Sequence, residues 1–130
     1  MNAAQHFQKG VQHLQNEQYK DALKEIRKSV ALEPNNADYH SEMGVALFHL
    51  NRKLEAIDAL NTAQKLEPKN PYRYSSRAYI KDSIGDTQGA VDDYVRCIEL
   101  DPEDAVAYNN LGLLEEKLGR KESAKKRFQK

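Results

Sequence analysis

The sequence predicts an all-α protein built from helix-turn-helix repeats, and three observations support this fold class. First, the tripeptide Leu-(Asp/Glu)-Pro recurs and ends at Pro34, Pro68 and Pro102, at intervals of 34 residues. A fixed period in the range of about 20–50 residues marks a stack of repeated units. Second, small residues recur in the same register, at Gly10, Gly44, Ala78 and Gly112 and again at Ala22, Ala56, Ala90 and Ala124. Third, no stretch alternates apolar and polar residues in the way that a strand would.

The period divides the chain into one domain with repeats at about residues 3–36, 37–70 and 71–104, and a partial repeat at 105–130. Each full repeat contains two helical patterns. In the second repeat, Met43 and Leu47 follow His40 at the spacing of one helix face. Asn51 then tolerates the left-handed backbone that often ends a helix. The same reasoning predicts further helices over about 54–66, 72–84 and 88–100, and a helix end at Gly85 and at Gly119.

Composition excludes several classes of function. The 20 basic and 20 acidic residues give a formal net charge of zero, whereas a nucleic-acid or anionic-membrane partner requires a basic excess. One basic cluster departs from this balance, and a solvated helix face is its simpler interpretation; its members are Lys117, Arg120, Lys121, Lys125, Lys126, Arg127 and Lys130. Cys97 is the only cysteine, which is typical of a reducing compartment. We therefore expect a cytoplasmic protein with neither nucleic acid nor a membrane among its partners.

Several motif positions together resemble the tetratricopeptide repeat. The residues that carry the resemblance are Tyr108-Asn109-Asn110-Leu111-Gly112, Leu118-Gly119, Ala124 and Phe128, together with the recurring Leu-(Asp/Glu)-Pro. The resemblance covers essentially the whole chain. It implies a right-handed superhelical solenoid in which the first helices line a concave groove and the second helices form the convex back. It also implies a protein-protein interaction scaffold rather than an enzyme.

The chain departs from the family pattern in two places. Arg77 and Lys81 stand where apolar residues are usual, and we expect Arg77 to pair with Asp93 on the next helix. The family also adds a helix that covers the final repeat, and the sequence ends at Lys130 without one. Either the chain is a segment of a longer protein, or the last apolar face contacts another chain. The alternative function is therefore a structural module that forms a weak homo-oligomer, with Leu114, Leu118 and Phe128 poorly covered.

A second apolar stripe on the first helices is the predicted contact surface for a peptide or partner segment. Its members, with two neighbouring asparagines that could hold a peptide backbone, are Phe7, Val11, Val45, Phe48, Tyr72, Tyr79, Asn109, Asn110 and Leu113. Tyrosine suits such a surface because it has an apolar ring and a polar tip. For Phe7, Leu14 and Phe48 the alternative is that they fill space between successive repeats.

The resemblance also allows one subfamily to be tested. Chaperone-binding members clamp a C-terminal carboxylate with lysine, asparagine and arginine on three successive first helices. The corresponding positions here hold none of these residues; they are Phe7, Val11, Glu42, Tyr72 and Ser76. A shift by one repeat also fails to supply the cations. We therefore predict against this clamp. Glu42, Asp82 and Glu116 favour a mixed apolar-basic peptide, bound either as a helix or as an extended segment.

No pattern in the sequence predicts catalysis, a metal site or a cofactor. A metal site requires three or four converging ligands, and no Cys-His spacing provides them. Asp92 and Asp93 are adjacent, so on a helix their side chains diverge by about 100°. Cys97 lies on the inner stripe of a second helix, which favours a small buried residue over a nucleophile.

Overall fold

The computed structural model describes residues 1–129, and those residues form eight helices and no strand. In chain order the helices are α1 (Ala3–Gln15), α2 (Tyr19–Leu32), α3 (Ala37–His49), α4 (Lys53–Leu66), α5 (Pro71–Ser83), α6 (Thr87–Leu100), α7 (Ala105–Lys117) and α8 (Lys121–Phe128). The predicted pairs of helices are confirmed, and the bounds predicted for α4, α5 and α6 differ from the observed ones by at most one residue. Lys130, the last member of the basic cluster, lies outside the described residues.

Each first helix begins at a side chain that caps it. The caps stand at the same position of every repeat, at Asn2, Asn36, Asn70 and Asp104. Their side-chain oxygens accept hydrogen bonds of 2.9 to 3.3 Å from backbone N–H groups of the first turn. These N–H groups have no partner within the helix, so such caps stabilise the helix start. The 34-residue period therefore sets where each repeat begins.

Each first helix also ends in the same way. The second residue after the end of each first helix has a positive φ. The value is 58° at Glu17, 62° at Asn51, 90° at Gly85 and 77° at Gly119. The N–H of the following residue donates to a carbonyl five residues back, at 2.7 to 2.9 Å in all four turns. This is the Schellman arrangement, in which a left-handed residue turns the chain back onto the helix end. The predicted helix ends at Asn51, Gly85 and Gly119 are confirmed, and Glu17 occupies the same conformation without being glycine or asparagine.

The recurring small residues lie where the two helices of a repeat touch. Ala22, Ala56 and Ala90 have no exposed surface. A Cβ atom placed on Gly10 would lie 2.6 Å from Cγ1 of Ile26, which is closer than two carbon atoms approach. Glycine at this position therefore allows α1 and α2 to pack more closely than a larger residue would permit.

The chain forms two compact halves. The N-terminal half is Met1–Pro68 and contains α1 to α4, and the C-terminal half begins at Lys69 and contains α5 to α8. Leu111, Cys97 and Tyr94 belong to the core of the C-terminal half. Leu114 belongs to it as well and is only 8% exposed, so the prediction that this leucine is poorly covered is wrong. It packs in the same core cluster as Leu111 of α7 and Tyr94 of α6.

The predicted contact between Arg77 and Asp93 is confirmed. The guanidinium of Arg77 donates to both carboxylate oxygens of Asp93, at 2.8 and 2.7 Å. Lys81 approaches the same carboxylate at 3.2 Å, and the Asp93 side chain is 6% exposed. A buried carboxylate requires such partners, because taking it out of water without them is costly.

Candidate functional site

The first helices of the C-terminal half, α5 and α7, present the most exposed part of the predicted contact surface. Tyr72 and Tyr79 are one stripe of α5, two turns apart, and Val106 and Leu113 are the corresponding stripe of α7. All four side chains are more than half exposed. We call these four residues, with Asn110 and with Tyr94 between the helices, the α5–α7 face.

Tyr94 of α6 lines two cavities on this face. The larger, of about 560 Å³, also contacts Tyr72 and Val106, and the smaller, of about 290 Å³, contacts Tyr79 and Leu113. Asn110 lines both cavities, and its amide donates to the hydroxyl of Tyr94 at 3.4 Å. Tyr94 is itself 6% exposed. The ring of Tyr94 therefore forms an aromatic floor of the α5–α7 face, and the hydrogen-bonded pair of Tyr94 and Asn110 provides a polar group that both cavities share.

The larger cavity is acidic. Asp101, Glu103 and Asp104 line it, and none of its described lining residues is lysine or arginine. Asp101 and Asp104 also order the turn before α7, since they accept the backbone N–H groups of Glu103 at 3.2 Å and Ala107 at 3.0 Å. Their charges remain at the cavity wall. A cationic group would therefore be favoured there.

The titration of Tyr94 reflects this environment. Burial raises the pKa of its hydroxyl, and the negative charges of Asp82 and Asp104 raise it further, although the hydrogen bond from Asn110 acts in the opposite sense. Tyr94 is therefore a neutral donor and acceptor at physiological pH. Asp82, at the smaller cavity, accepts a hydrogen bond from Lys117 at 3.1 Å, so its charge is partly neutralised.

The structure brings together some of the residues predicted from sequence and separates others from the cavities. Tyr72, Tyr79, Asn110 and Leu113 line one or both cavities. Asn109 is exposed on α7 but lines neither of them.

The predicted residues of the N-terminal half are in a different environment. Phe7, Val11, Val45 and Phe48 are all half-buried. The Phe7 ring packs on Tyr39, with the ring centroids 4.7 Å apart. This contact agrees with the alternative for Phe7, which is to fill space between repeats. The exposed aromatic surface is therefore concentrated on the C-terminal half.

Sequence reasoning missed the floor and the acidic wall of the face. Tyr94 occupies the inner stripe of a second helix, where the other repeats have Ile26, Leu60 and Phe128, and that pattern indicates a core residue. A tyrosine at a core position is itself a signal, because its hydroxyl requires a partner. Asp101 belongs to the recurring Leu-(Asp/Glu)-Pro that follows a second helix, and no pattern in the sequence marks Asp101 or Glu103 as part of a site. Their closeness to Tyr72 depends on how α5 packs beside α7, which the period alone does not show.

Two further properties of the described residues bear on function. Within residues 1–129, no group of three or more His, Cys, Asp or Glu side chains is arranged to hold a metal ion. None of the helices in that range is both long and apolar enough to cross a membrane. Cys97 is fully buried, as predicted, and its Sγ lies 3.8 Å from a carboxylate oxygen of Asp104.

Paired helices in a 34-residue period, with an exposed face on the first helices, define a helical-repeat protein of the interaction-scaffold class. Three models of the tetratricopeptide repeat match the chain, over residues 7–71, 73–104 and 94–126. The chain belongs to the tetratricopeptide repeat family. Proteins of this family are in general scaffolds for protein-protein interaction and not enzymes.

Solved structures confirm the fold. A crystal structure of MamA matches 98% of this chain and 75% of its own, with a TM-score of 0.92 and 28% identity. The first tetratricopeptide repeat domain of human RPAP3, solved by NMR, matches 92% of this chain and 94% of its own, with a TM-score of 0.84 and 26% identity. The first such domain of Spaghetti (RPAP3), bound to the HSP90 peptide SRMEEVD, matches 91% and 94%, with a TM-score of 0.85 and 24% identity. A search of curated protein sequences found no match.

Proposed function

We propose that the protein is an interaction scaffold that docks a partner peptide of mixed apolar and basic character on the α5–α7 face. The observation that carries this proposal is an exposed apolar stripe on each of two neighbouring first helices, above cavities with an acidic wall. The other predicted contacts are on first helices of the N-terminal half and remain part of the proposal; they are Phe7, Val11, Val45 and Phe48. Val11 and Val45 hold the same repeat position as Tyr79 and Leu113, whereas Phe7 and Phe48 hold other positions.

The apolar part of the proposal rests on exposure. Tyr72 is 68% exposed, Tyr79 63%, Val106 70% and Leu113 53%. A cluster of large apolar side chains on one face is more typical of a contact surface than of a surface that remains exposed to solvent. Tyrosine is enriched among the residues that dominate binding energy at interfaces. The aliphatic or aromatic residues of the partner would therefore pack between Tyr72 and Val106 and between Tyr79 and Leu113.

The basic part rests on charge. Three carboxylates surround the larger cavity, and two of them are held in place by the turn that they order. A lysine or arginine of the partner would gain a favourable interaction there, whereas an acidic residue would be repelled. Tyr72, at the rim of the same cavity, offers an aromatic face for a cation.

The same charge argues against an acidic partner at this face. The Spaghetti (RPAP3) domain was solved with a peptide that contains two glutamates and an aspartate. In this chain the clamp positions of the third repeat hold Tyr72 and Ser76 in place of cations, and the wall beside them is acidic. We therefore expect the segment that binds the α5–α7 face to have the opposite charge from that peptide.

A peptide selection tests the proposal. Random twelve-residue peptides selected on the full chain should include a group enriched in lysine or arginine together with aliphatic or aromatic residues. Tyr79→Ala and Leu113→Ala should each weaken binding of a selected peptide about tenfold, because both side chains line the smaller cavity. Leu54→Ala is the matched control, since Leu54 is 76% exposed but lies on α4 of the other half.

The charge of the partner has its own test. Glu103→Gln should weaken a selected peptide severalfold at low salt, and Glu122→Gln, an equal change on α8, should not. A selection that yields no basic peptides, or basic peptides that bind equally well to Tyr79→Ala and to the native protein, would contradict the proposal.

One observation favours assembly as a second function. Leu118 is 39% and Phe128 is 42% exposed on the last repeat, as the assembly hypothesis requires. If this surface joins chains, light scattering across a concentration series should show a mass above that of the monomer, and Phe128→Glu should abolish it. A constant monomer mass at high micromolar concentration would exclude assembly and leave the α5–α7 face unaffected.

A further inference from the structure

A basic cleft lies on the N-terminal half, away from the predicted stripe of first-helix contacts. Its volume is about 500 Å³, and it is lined by Lys20, Leu23, Lys24 and Arg27 of α2, by Leu50 at the end of α3 and by Arg52 before α4. The four residues from α2 are spaced at three, four and seven positions, so they form one face of that helix. We call this surface the α2 cleft.

The floor of the α2 cleft is apolar. Leu23 is 5% exposed and Leu50 is half-buried, so a ligand would contact hydrocarbon between the charged groups. The end of α3 is fixed against α2 by the rings of Tyr19 and His49, which stack with centroids 4.4 Å apart and planes inclined by 10°. The cleft is therefore a preformed concavity between two helices and not a patch of mobile lysines.

The cations at its wall are only partly neutralised. Arg52 donates two hydrogen bonds to Glu55, at 2.8 and 2.7 Å, and Arg27 reaches the same carboxylate only at 3.9 Å. None of the ion pairs formed within residues 1–129 involves Lys20 or Lys24. Four cations against one carboxylate leave an excess of 4 − 1 = 3 positive charges.

Neighbouring acids do not remove this excess. Asp21 diverges by about 100° from Lys20 and is three residues before Lys24, so it borders this face of α2, but it does not line the cleft and forms no ion pair with either lysine. Glu25 is on the opposite side of α2, where it accepts a hydrogen bond of 2.7 Å from His6 and lies near Lys28. The positive charge is thus local to the cleft, although the whole chain has no net charge.

We propose that the α2 cleft is a second docking site, which takes an acidic peptide segment with carboxylates on either side of an aliphatic residue. The aliphatic side chain would contact Leu23 and Leu50, and the carboxylates would meet Lys20 and Lys24 on one side and Arg27 on the other. The concave shape and the apolar floor favour a peptide over a nucleic-acid backbone, which would need charge but no hydrocarbon contact. A scaffold with sites of opposite charge on its two halves could hold two different partners at once.

Fluorescence anisotropy with the full chain tests this proposal. The probes are three labelled ligands: a twelve-residue peptide of glutamate and leucine, the same peptide with lysine in place of glutamate, and a twelve-nucleotide oligothymidylate. The glutamate peptide should bind, and the double variant Lys20→Ala with Lys24→Ala should weaken that binding at least tenfold. Both lysines are exposed, so the fold is retained.

The matched control is the double variant Lys65→Ala with Lys69→Ala, which removes the same charge from exposed positions outside the α2 cleft. Its effect on the glutamate peptide should be less than twofold. Equal weakening by both double variants, or no binding of the glutamate peptide, would overturn the proposal. The proposal would also be overturned if oligothymidylate bound as tightly as the glutamate peptide and lost that binding in the double variant Lys20→Ala with Lys24→Ala. Binding of the lysine peptide reports on the α5–α7 face instead, so failure of one proposal is distinguishable from failure of the other.

Discussion

Glu17 occupies a backbone conformation that the three later repeats assign to asparagine or glycine. Its φ of 58° places it in the left-handed region, at the position taken by Asn51, Gly85 and Gly119. A side chain makes this conformation costly because Cβ crowds the following carbonyl oxygen. The turn forms nonetheless, with the N–H of Gln18 donating to the carbonyl of His13 at 2.8 Å. The fold thus imposes its turn on a residue that does not favour it.

We expect Glu17→Gly to raise the free energy of unfolding by about 0.5–1 kcal/mol, because glycine adopts a positive φ without the steric cost. Urea unfolding followed by circular dichroism measures this. Asn51→Gly is the control and should change stability less, since asparagine already tolerates the conformation. A lower stability of Glu17→Gly would show that its side chain contributes more than its backbone costs.

Cys97 is a second residue whose environment determines its chemistry. Burial, with the nearby charges of Asp104 and Asp101, raises the pKa of its thiol from 9.0 to about 11. In the unfolded chain the thiol has its ordinary pKa, so below about pH 9 it is protonated in both states and contributes nothing that depends on pH. Between pH 9 and about 11 the folded protein keeps a proton that the unfolded chain loses, and the free energy of unfolding falls as pH rises.

We therefore expect the stability of the native protein to fall more steeply with pH over that interval than the stability of Cys97→Ala. Urea unfolding at several pH values compares the two slopes, which remain informative even if the substitution lowers stability overall. Tyr94 and Tyr39 also have a raised pKa because of burial, so Cys97→Ala should reduce the slope without removing it. Parallel slopes for the two proteins would contradict this account of Cys97.

At the scale of the element, one contact between paired helices recurs with different chemistry in each repeat. In the third repeat Asp93 meets Arg77 and Lys81, and in the first repeat Glu25 meets His6 and Lys9. In the fourth repeat the charges are reversed, because Arg127 donates from the second helix to Glu115 at 2.8 Å. In the second repeat the same positions are apolar, at Met43, Leu47 and Ala59. The fold therefore accepts an ion pair or a hydrophobic contact at this place.

The second repeat supplies a template for an exchange. Asp93→Ala alone should lower the free energy of unfolding by about 3–5 kcal/mol, because it leaves Arg77 and Lys81 without their carboxylate. The triple variant Arg77→Met, Lys81→Leu and Asp93→Ala reproduces the second repeat and should return to within about 1 kcal/mol of the native protein.

Urea unfolding of the two variants measures this difference directly. A triple variant as unstable as Asp93→Ala would show that these charges are needed for more than their mutual contact.

At the scale of the whole molecule, the sequence predicts the fold better than the site. The period, the small residues and Pro68 depend on local geometry, and local geometry is what a repeated pattern encodes. The α5–α7 face is harder to predict from local geometry, because Tyr94 and Glu103 meet Tyr72 only after α5, α6 and α7 have packed together. The stripe of Tyr72, Tyr79 and Leu113 could be read from helical spacing, whereas its acidic wall could not.

The zero net charge of the chain does not indicate that two of its surfaces are charged with opposite sign. The larger cavity of the C-terminal half has only acidic charges among its described lining residues, and the α2 cleft of the N-terminal half has only basic ones. An average over the sequence cancels them. Composition alone therefore predicts neither charged surface, while the structure shows an acidic cavity in one half and a basic cleft in the other.

The most direct test of the central claim is a ¹H–¹⁵N NMR titration of the full chain with a selected apolar-basic peptide. The account predicts that the largest shift changes fall on the α5–α7 face, at Tyr72, Tyr79, Val106 and Leu113, and that they decrease as salt is added. The residues of the α2 cleft should change little with this peptide. Changes concentrated in the α2 cleft, or on α8, would contradict the assignment of peptide binding to the α5–α7 face.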